Sequence, residues 1–164
     1  MSGVTGGAGM DQGEFRTVLG HFASGLVLVT GLHEGQPAGL TCQSFFSLSL
    51  DPPLVAMAPG KSSTSWPKVS SSGSICVNIL SEEQEAMART FAKTGADKFS
   101  GVGWSPAANG APRLQGSLAW LECTIEDVHE AGDHWLVTAR VIDLEATHGK
   151  PLVFYRGGFG GFTA

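Results

Sequence analysis

The sequence predicts a mainly β fold with peripheral helices, built as an antiparallel barrel. Three observations predict it. Apolar runs of strand length, rich in β-branched residues, recur along the whole chain. Helical patterns are confined to a few short stretches, chiefly after Asp11 and Ser81. Strands and helices do not alternate as a parallel sheet requires. The count is about seven strands and two or three helices, which suits a closed or nearly closed antiparallel sheet.

The elements follow in order. Residues 1–10 are small and Gly-rich and are expected to form a disordered leader, with a single domain over 11–164. Asp11 and Glu14 have the spacing of a capping pair. Phe15, Val18, Leu19 and Phe22 follow at helical spacing, so an amphipathic helix is expected to run towards Gly25. The run GLVLVTG (25–31) reads as a buried strand, HEGQ as a turn, and AGLTCQSFFSLSL (38–50) as a strand followed by a loop. PPLVAMA (52–58) is a further strand, with its prolines at the entry where a sheet tolerates them. Residues 62–70 suit a short helix if Pro67 lies in its first turn.

SICVNIL (74–80) is again strand-like. Ser81 and Gln84 match a capping box, and Met87 and Phe91 share a face of the helix that follows. Glu82, Glu83 and Glu85 near its start and Arg89 and Lys93 near its end complement the helix dipole. Residues 95–112 read as a long, turn-rich loop, of the kind that is functional or mobile. Three strands close the chain, at 118–125, 135–144 and 152–156. In the middle one Trp135, Val137, Ala139 and Val141 share a face.

Bulk composition excludes several function classes. With 164 residues, 42% hydrophobic and 15% charged, the chain is a folded globule with a sizeable core. A net charge of −5 without a basic run argues against nucleic acid and anionic membranes as partners. The three cysteines lie far apart in apolar runs with no CxxC, so buried reduced thiols in a cytoplasmic protein are expected. No apolar stretch reaches the ~18 residues of a membrane helix, and no signal-peptide pattern is present. No HExxH occurs and His129 and His134 are too loosely spaced for a metal, so no metal site is expected.

Four stretches carry candidate chemistry. AMAPGKSSTSW (56–66) contains the Gly-Lys-Ser of a nucleotide loop, but Val55 stands where that loop needs glycine. Pro59 also lacks an N–H where the loop must donate one. Its hydroxyls and Lys61 at a helix start still suit a phosphate. GLTCQSFFSLSLDPP (39–53) sets Thr41, Gln43, Ser44 and Ser47 beside Phe45 and Phe46. In DKFSG (97–101), Lys98 suits a phosphate and Phe99 a ring. EAGDHWLV (130–137), with PLVFYRGGFGGF (151–162), offers His134, Tyr155 and Arg156. Each stretch also reads as ordinary structure: loop edges, a helix N-cap, solvated turns.

Taken together and in this order, SFFSLSLDPPLV, KSSTSWP, CVNIL, DKFSG, GSLAWLEC, GDHWLV and PLVFYRGGF resemble the flavin reductase family from about Phe15 to Phe162. The resemblance implies the FMN-binding split barrel, a Greek-key antiparallel fold. It implies an NAD(P)H:flavin oxidoreductase that passes a hydride to flavin N5 and supplies reduced FMN or FAD to a partner monooxygenase. It further implies a cytoplasmic homodimer, with NADH or NADPH as donor. Thr41, Cys42, Gln43 and Ser44 would lie along the ring edge and Ser47 near the ribityl chain or phosphate. Ser63, Thr64 and Ser65, with Lys61, would hold the phosphate, and Lys98 and Phe99 would close the site. His134, Tyr155 and Arg156 would contact the nicotinamide, with His134 the candidate for positioning it. Phe159 stands where relatives often have tyrosine, so no ring hydroxyl is available there. A split-barrel oxidase of the pyridoxamine-phosphate oxidase type and a non-catalytic flavin-binding protein are the two other readings.

Overall fold

The computed structural model describes residues 9–95 and 97–164. The first eight residues of the expected leader lie outside that range. Helix α1 (Gln12–Leu19) begins where the capping pair predicts, with the Asp11 carboxylate accepting from the Glu14 N–H at 2.8 Å. It stops at Gly20, short of Phe22, and none of its residues is buried among the described residues. The apolar stripe of this amphipathic helix lies outside the core, with Phe15 and Leu19 each 52% exposed.

The main sheet has seven strands: β2 (Val27–His33), β3 (Gln36–Cys42), β4 (Phe45–Leu50), β5 (Pro53–Met57), β6 (Ser74–Ile79), β9 (Ala119–Ala131) and β10 (His134–Ala146). Their order is β3-β2-β6-β9-β10-β5-β4, and all neighbours are antiparallel. The two edges, β3 and β4, are joined by Gln43 and Ser44 alone. Leu40 and Cys42 of β3, Val29 of β2, Val77 of β6, Cys123 of β9, Val137 of β10 and Val55 of β5 fill one interior cluster. The sheet is thus rolled with that face inward, yet β3 and β4 do not pair, which is a split barrel.

A second core lies outside the roll. Leu26 and Leu28 turn away from the interior and pack with Leu80, Leu114, Leu152 and α3 (Glu85–Phe91) through Ala88 and Phe91. Strand β2 is consequently buried on both faces, which accounts for its uninterrupted apolar run. The capping box at Ser81 and Gln84 is present ahead of α3. Helix α2 (Trp66–Val69) closes the barrel interior with Trp66 and Val69, and Pro67 lies in its first turn.

Three expectations need correction. The hydroxyl-rich half of 38–50 is not a loop but β4, whose register slips between Ser47 and Ser49. The long loop of 95–112 contains a hairpin of β7 (Trp104–Pro106) and β8 (Pro112–Leu114). Side chains of the sheet hold it: the Leu114 N–H donates to Asn78 Oδ1 at 2.9 Å, and the Asn109 N–H to Glu122 Oε1 at 2.9 Å. The last strand of the sequence reading is the short β11 (Val153–Tyr155), paired with β1 (Ser24–Gly25) and β12 (Gly158–Gly160) in a separate sheet.

Helix α2 sits directly on β2 at Gly31, where an added Cβ would lie 2.2 Å from the Val69 carbonyl oxygen. Gly31→Ala is expected to destabilise the fold by about 3 kcal/mol, because backbone must shift to admit a methyl. Denaturant unfolding checks this. An unchanged midpoint would mean that α2 and β2 do not meet at this point.

Candidate functional site

The chain between the sheet edges opens a cleft of 810 Å³. Thr41, Cys42, Gln43, Ser44, Phe45 and Phe46 form one wall. Ala58, Pro59 and Gly60, which follow β5, form the floor beside His134. Leu19 and Phe22 close it from the end of α1. The lining is mostly apolar and aromatic, which suits a planar ring.

A second cleft of 240 Å³ adjoins the first, and both are lined by Leu40, Thr41 and Gly60. Its walls are polar: Ser62, Ser63, Thr64 and Ser65 on one side, Lys93, Thr94 and Lys98 on the other. Ser63 Oγ accepts from the N–H groups of Ser65 at 3.3 Å and Trp66 at 3.1 Å, so it caps α2. Its own hydroxyl proton remains available to an acceptor. Lys98 Nζ donates to Ser65 Oγ at 2.9 Å and to the Phe91 carbonyl at 3.1 Å. It thereby places a positive charge at the C-terminal end of α3. Burial lowers the Lys98 pKa below its ordinary value.

His134 lines the apolar cleft and bridges to Gly60, which lines both. Its Nδ1 lies 2.7 Å from Asp133 Oδ1. A carboxylate there accepts the Nδ1 proton and leaves Nε2 as the free ring nitrogen. The hydrogen bond from His134, joined by its charge when the ring is protonated, holds the Asp133 carboxyl below its usual range. The turn carrying both is pinned to the serine loop, since Lys61 N–H donates to the Asp133 carbonyl and Trp135 N–H to the Pro59 carbonyl, both at 2.9 Å.

Most of the residues singled out in the sequence therefore gather at these two clefts, and five do not. Lys61 is engaged elsewhere: its Nζ donates to Glu130 Oε1 at 3.1 Å and lies 4.9 Å from the Trp135 ring centroid. Ser47 is exposed on β4 and lines neither cleft. Phe99 packs edge-on against Phe91, with 4.9 Å between centroids, and so joins the second core. Tyr155 faces His21 at 6.5 Å, and Arg156 sits in a left-handed turn with its N–H on the Gly20 carbonyl. The sequence reading noted Phe45 and Phe46 only as neighbours of the hydroxyls, and it passed over Leu19 and Phe22 as walls because apolar residues at helical spacing read as a packing stripe.

An apolar slot continuous with a hydroxyl- and ammonium-lined cleft takes a ligand with a planar ring at one end and an anion at the other. Residues 19–163 match the family model described as flavin reductase like domain. The chain belongs to this family. It is 45% identical over 167 residues to the flavin-dependent monooxygenase reductase subunit HsaB of Rhodococcus jostii, covering 98% of this chain and 86% of that one. The crystal structure of nitrilotriacetate monooxygenase component B from Mycobacterium thermoresistibile is 46% identical, with a TM-score of 0.90 over 93% of this chain and 87% of that one. The NADH:FAD oxidoreductase SgcE6 of Streptomyces globisporus, solved with NAD and FAD fragments, is 34% identical, with a TM-score of 0.87 over 93% of each chain.

In this flavin reductase family member Cys42 lines the cleft but turns into the barrel interior. Burial pushes its thiol up to about 12, and those of Cys76 and Cys123 likewise to about 12. At pH 8 only about one thiol in ten thousand would be thiolate. Iodoacetamide should therefore leave all three unmodified in the native protein and alkylate all three in denaturant, as read by mass spectrometry. Native labelling at Cys42 would show that its sulfur opens to the cleft.

Proposed function

We propose that this chain is an NADH-dependent flavin reductase that hands reduced FMN or FAD to a separate monooxygenase. The observation that carries the reading is the continuity, across Thr41 and Gly60, of the apolar cleft with the serine- and lysine-lined one. This donor set fits a flavin. The apolar walls accept a tricyclic ring, and Ser63, Thr64, Ser65 and Lys98 face the second cleft as hydroxyl and ammonium groups for a phosphate. Thr41, Cys42, Gln43 and Ser44 would run along the ring edge, chiefly through their backbone. The activities for which the similar proteins are named support the same class and favour NADH as donor.

The chemistry supplied by the bound pair is hydride transfer from the nicotinamide to flavin N5. The chain's own contribution is placement, because reacting atoms must approach to about 3–3.5 Å. Pro59 and Gly60 set the floor, and the aromatic walls keep water from the ring faces. His134, held by Asp133, presents Nε2 beside Gly60 and would position the nicotinamide. No acid–base dyad is needed for this step.

Loss of NADH absorbance should depend on added FMN or FAD. Its absence with both flavins would sink the reading. Ser63→Ala with Ser65→Ala should raise the flavin Kd roughly tenfold, through lost charge-assisted hydrogen bonds. His134→Ala should raise the KM for NADH about fivefold while leaving the flavin Kd unchanged.

We also infer a cytoplasmic homodimer. Leu48 and Leu50 of β4 and Ile142 and Leu144 of β10 are exposed large apolar residues, at 46%, 91%, 56% and 67%. Such side chains on the two strands that flank β5 mark an association surface. Light scattering should give twice the 17.1 kDa chain mass, and a monomer would refute the dimer.

A further inference from the structure

Three hydroxyl side chains line the apolar cleft: Ser24, Thr41 and Ser44. Two of them are already used inside the chain. Thr41 Oγ1 donates to the Ala88 carbonyl at 2.7 Å, and Ser44 Oγ donates to the Ala58 carbonyl at 3.0 Å. Ser24 Oγ is different. It is the one buried side-chain oxygen or nitrogen among the described residues that has no hydrogen-bond partner. A buried hydroxyl without a partner destabilises the protein that carries it, and alanine in its place would not. The serine is therefore explained by something outside the described chain.

Its position says what kind of group that is. Ser24 lies in β1, three residues before Val27, and Val27 pairs with Cys42. It thus sits at the same end of the barrel as Gln43 and Ser44, with Leu19, Phe22 and Phe45 as apolar neighbours in the cleft. Leu19, Phe22 and Phe45 carry no acceptor, and no side chain of the cleft, Gln43 included, hydrogen-bonds Ser24 Oγ. A hydroxyl there needs an oxygen acceptor carried in by the occupant. Rotation about one χ1 bond re-aims a serine Oγ between staggered wells, so no backbone movement is required.

We propose that Ser24 donates a hydrogen bond to a carbonyl oxygen of the planar heterocycle that occupies this cleft. The inference rests on the flavin reductase reading. A carbonyl of this kind is carried by the flavin's pyrimidine edge and by the nicotinamide carboxamide, and the two are separated by experiment. FMN is titrated into wild type and Ser24→Ala by quenching of flavin fluorescence. NAD+ is titrated into the same two proteins by calorimetry, and thermal unfolding of both is recorded without ligand.

Ser24→Ala should weaken at least one ligand by roughly three- to tenfold, the loss of one neutral hydrogen bond. The ligand so weakened identifies the carbonyl. The ligand-free Tm should be unchanged or raised, since an orphaned hydroxyl has been removed. Both Kd values within about twofold of wild type would overturn the proposal, a change smaller than such a bond gives. A Tm lowered by several degrees would also overturn it, because the hydroxyl would then have a partner within the chain. Wild-type protein that binds neither ligand would remove the functional reading and this proposal with it. Wild-type binding of both, with Ser24→Ala unaffected, would remove this proposal alone.

Discussion

The two-residue link between the edge strands is the constraint from which the rest of the structure follows. Seven strands laid flat would separate β3 from β4 by about 29 Å, at ~4.8 Å per strand. Gln43 and Ser44 let Cys42 and Phe45 lie no more than about 11 Å apart. The sheet must therefore roll up. As it twists, the apolar residues at alternate positions, Val27 and Val29, Val55 and Met57, Ile75 and Val77, and Val137, Ala139 and Val141, line the face that goes inside. Because the link joins the edges end to end without pairing them, they are close at one end only. The opening left between them is the apolar cleft.

The polar cleft follows from how the second core is tied to the first. Helix α3 packs on the outer face of β2 through Ala88 and Phe91, so its C-terminal carbonyls point towards β3. Thr41 and Lys98 satisfy the carbonyls of Ala88 and Phe91. Both groups are thereby held beside the serine loop, which α2 fixes from the other side through its close approach to Gly31. The same hydrogen bonds that end one helix and start another thus bring hydroxyls and the Lys98 ammonium group to one site. A stability requirement, that exposed helix termini find partners, and a binding requirement are met by the same atoms.

Sequence alone made the strands of the roll legible, because their burial is written in apolar runs and in the shared face of Trp135, Val137, Ala139 and Val141. Strand β4 was not legible: its serines are exposed at a sheet edge, and a register slip breaks the alternation. The β7–β8 hairpin has three-residue strands and is held by Asn78 and Glu122, both distant in sequence from the groups they bind. No local pattern records such a contact. Helix α1 was legible as a helix but not in what it faces, since periodicity defines a stripe and not its partner. At the site, the serine cluster and the Gly-Asp-His turn were visible because each is local. The engagement of Lys61 with Glu130, from a strand 69 residues on, and of Phe99 with Phe91 depends on tertiary packing.

The pinned contact between residues 59–61 and 133–135 fixes one side of the cleft. Two backbone hydrogen bonds and the Lys61–Glu130 ion pair join the serine loop to the histidine turn. The floor of the cleft therefore moves as one piece, and widening it costs all three contacts together. The opposite wall carries no such lattice: Leu19 ends α1, which buries nothing among the described residues, and Phe22 follows it at 78% exposed. A side chain so free swings on the picosecond-to-nanosecond scale. Entry and departure on that side need only a rotamer change, while the ring and its anionic tail stay registered on a rigid bed. For a carrier that must release what it has reduced, the fold separates the surface that aligns from the surface that lets go.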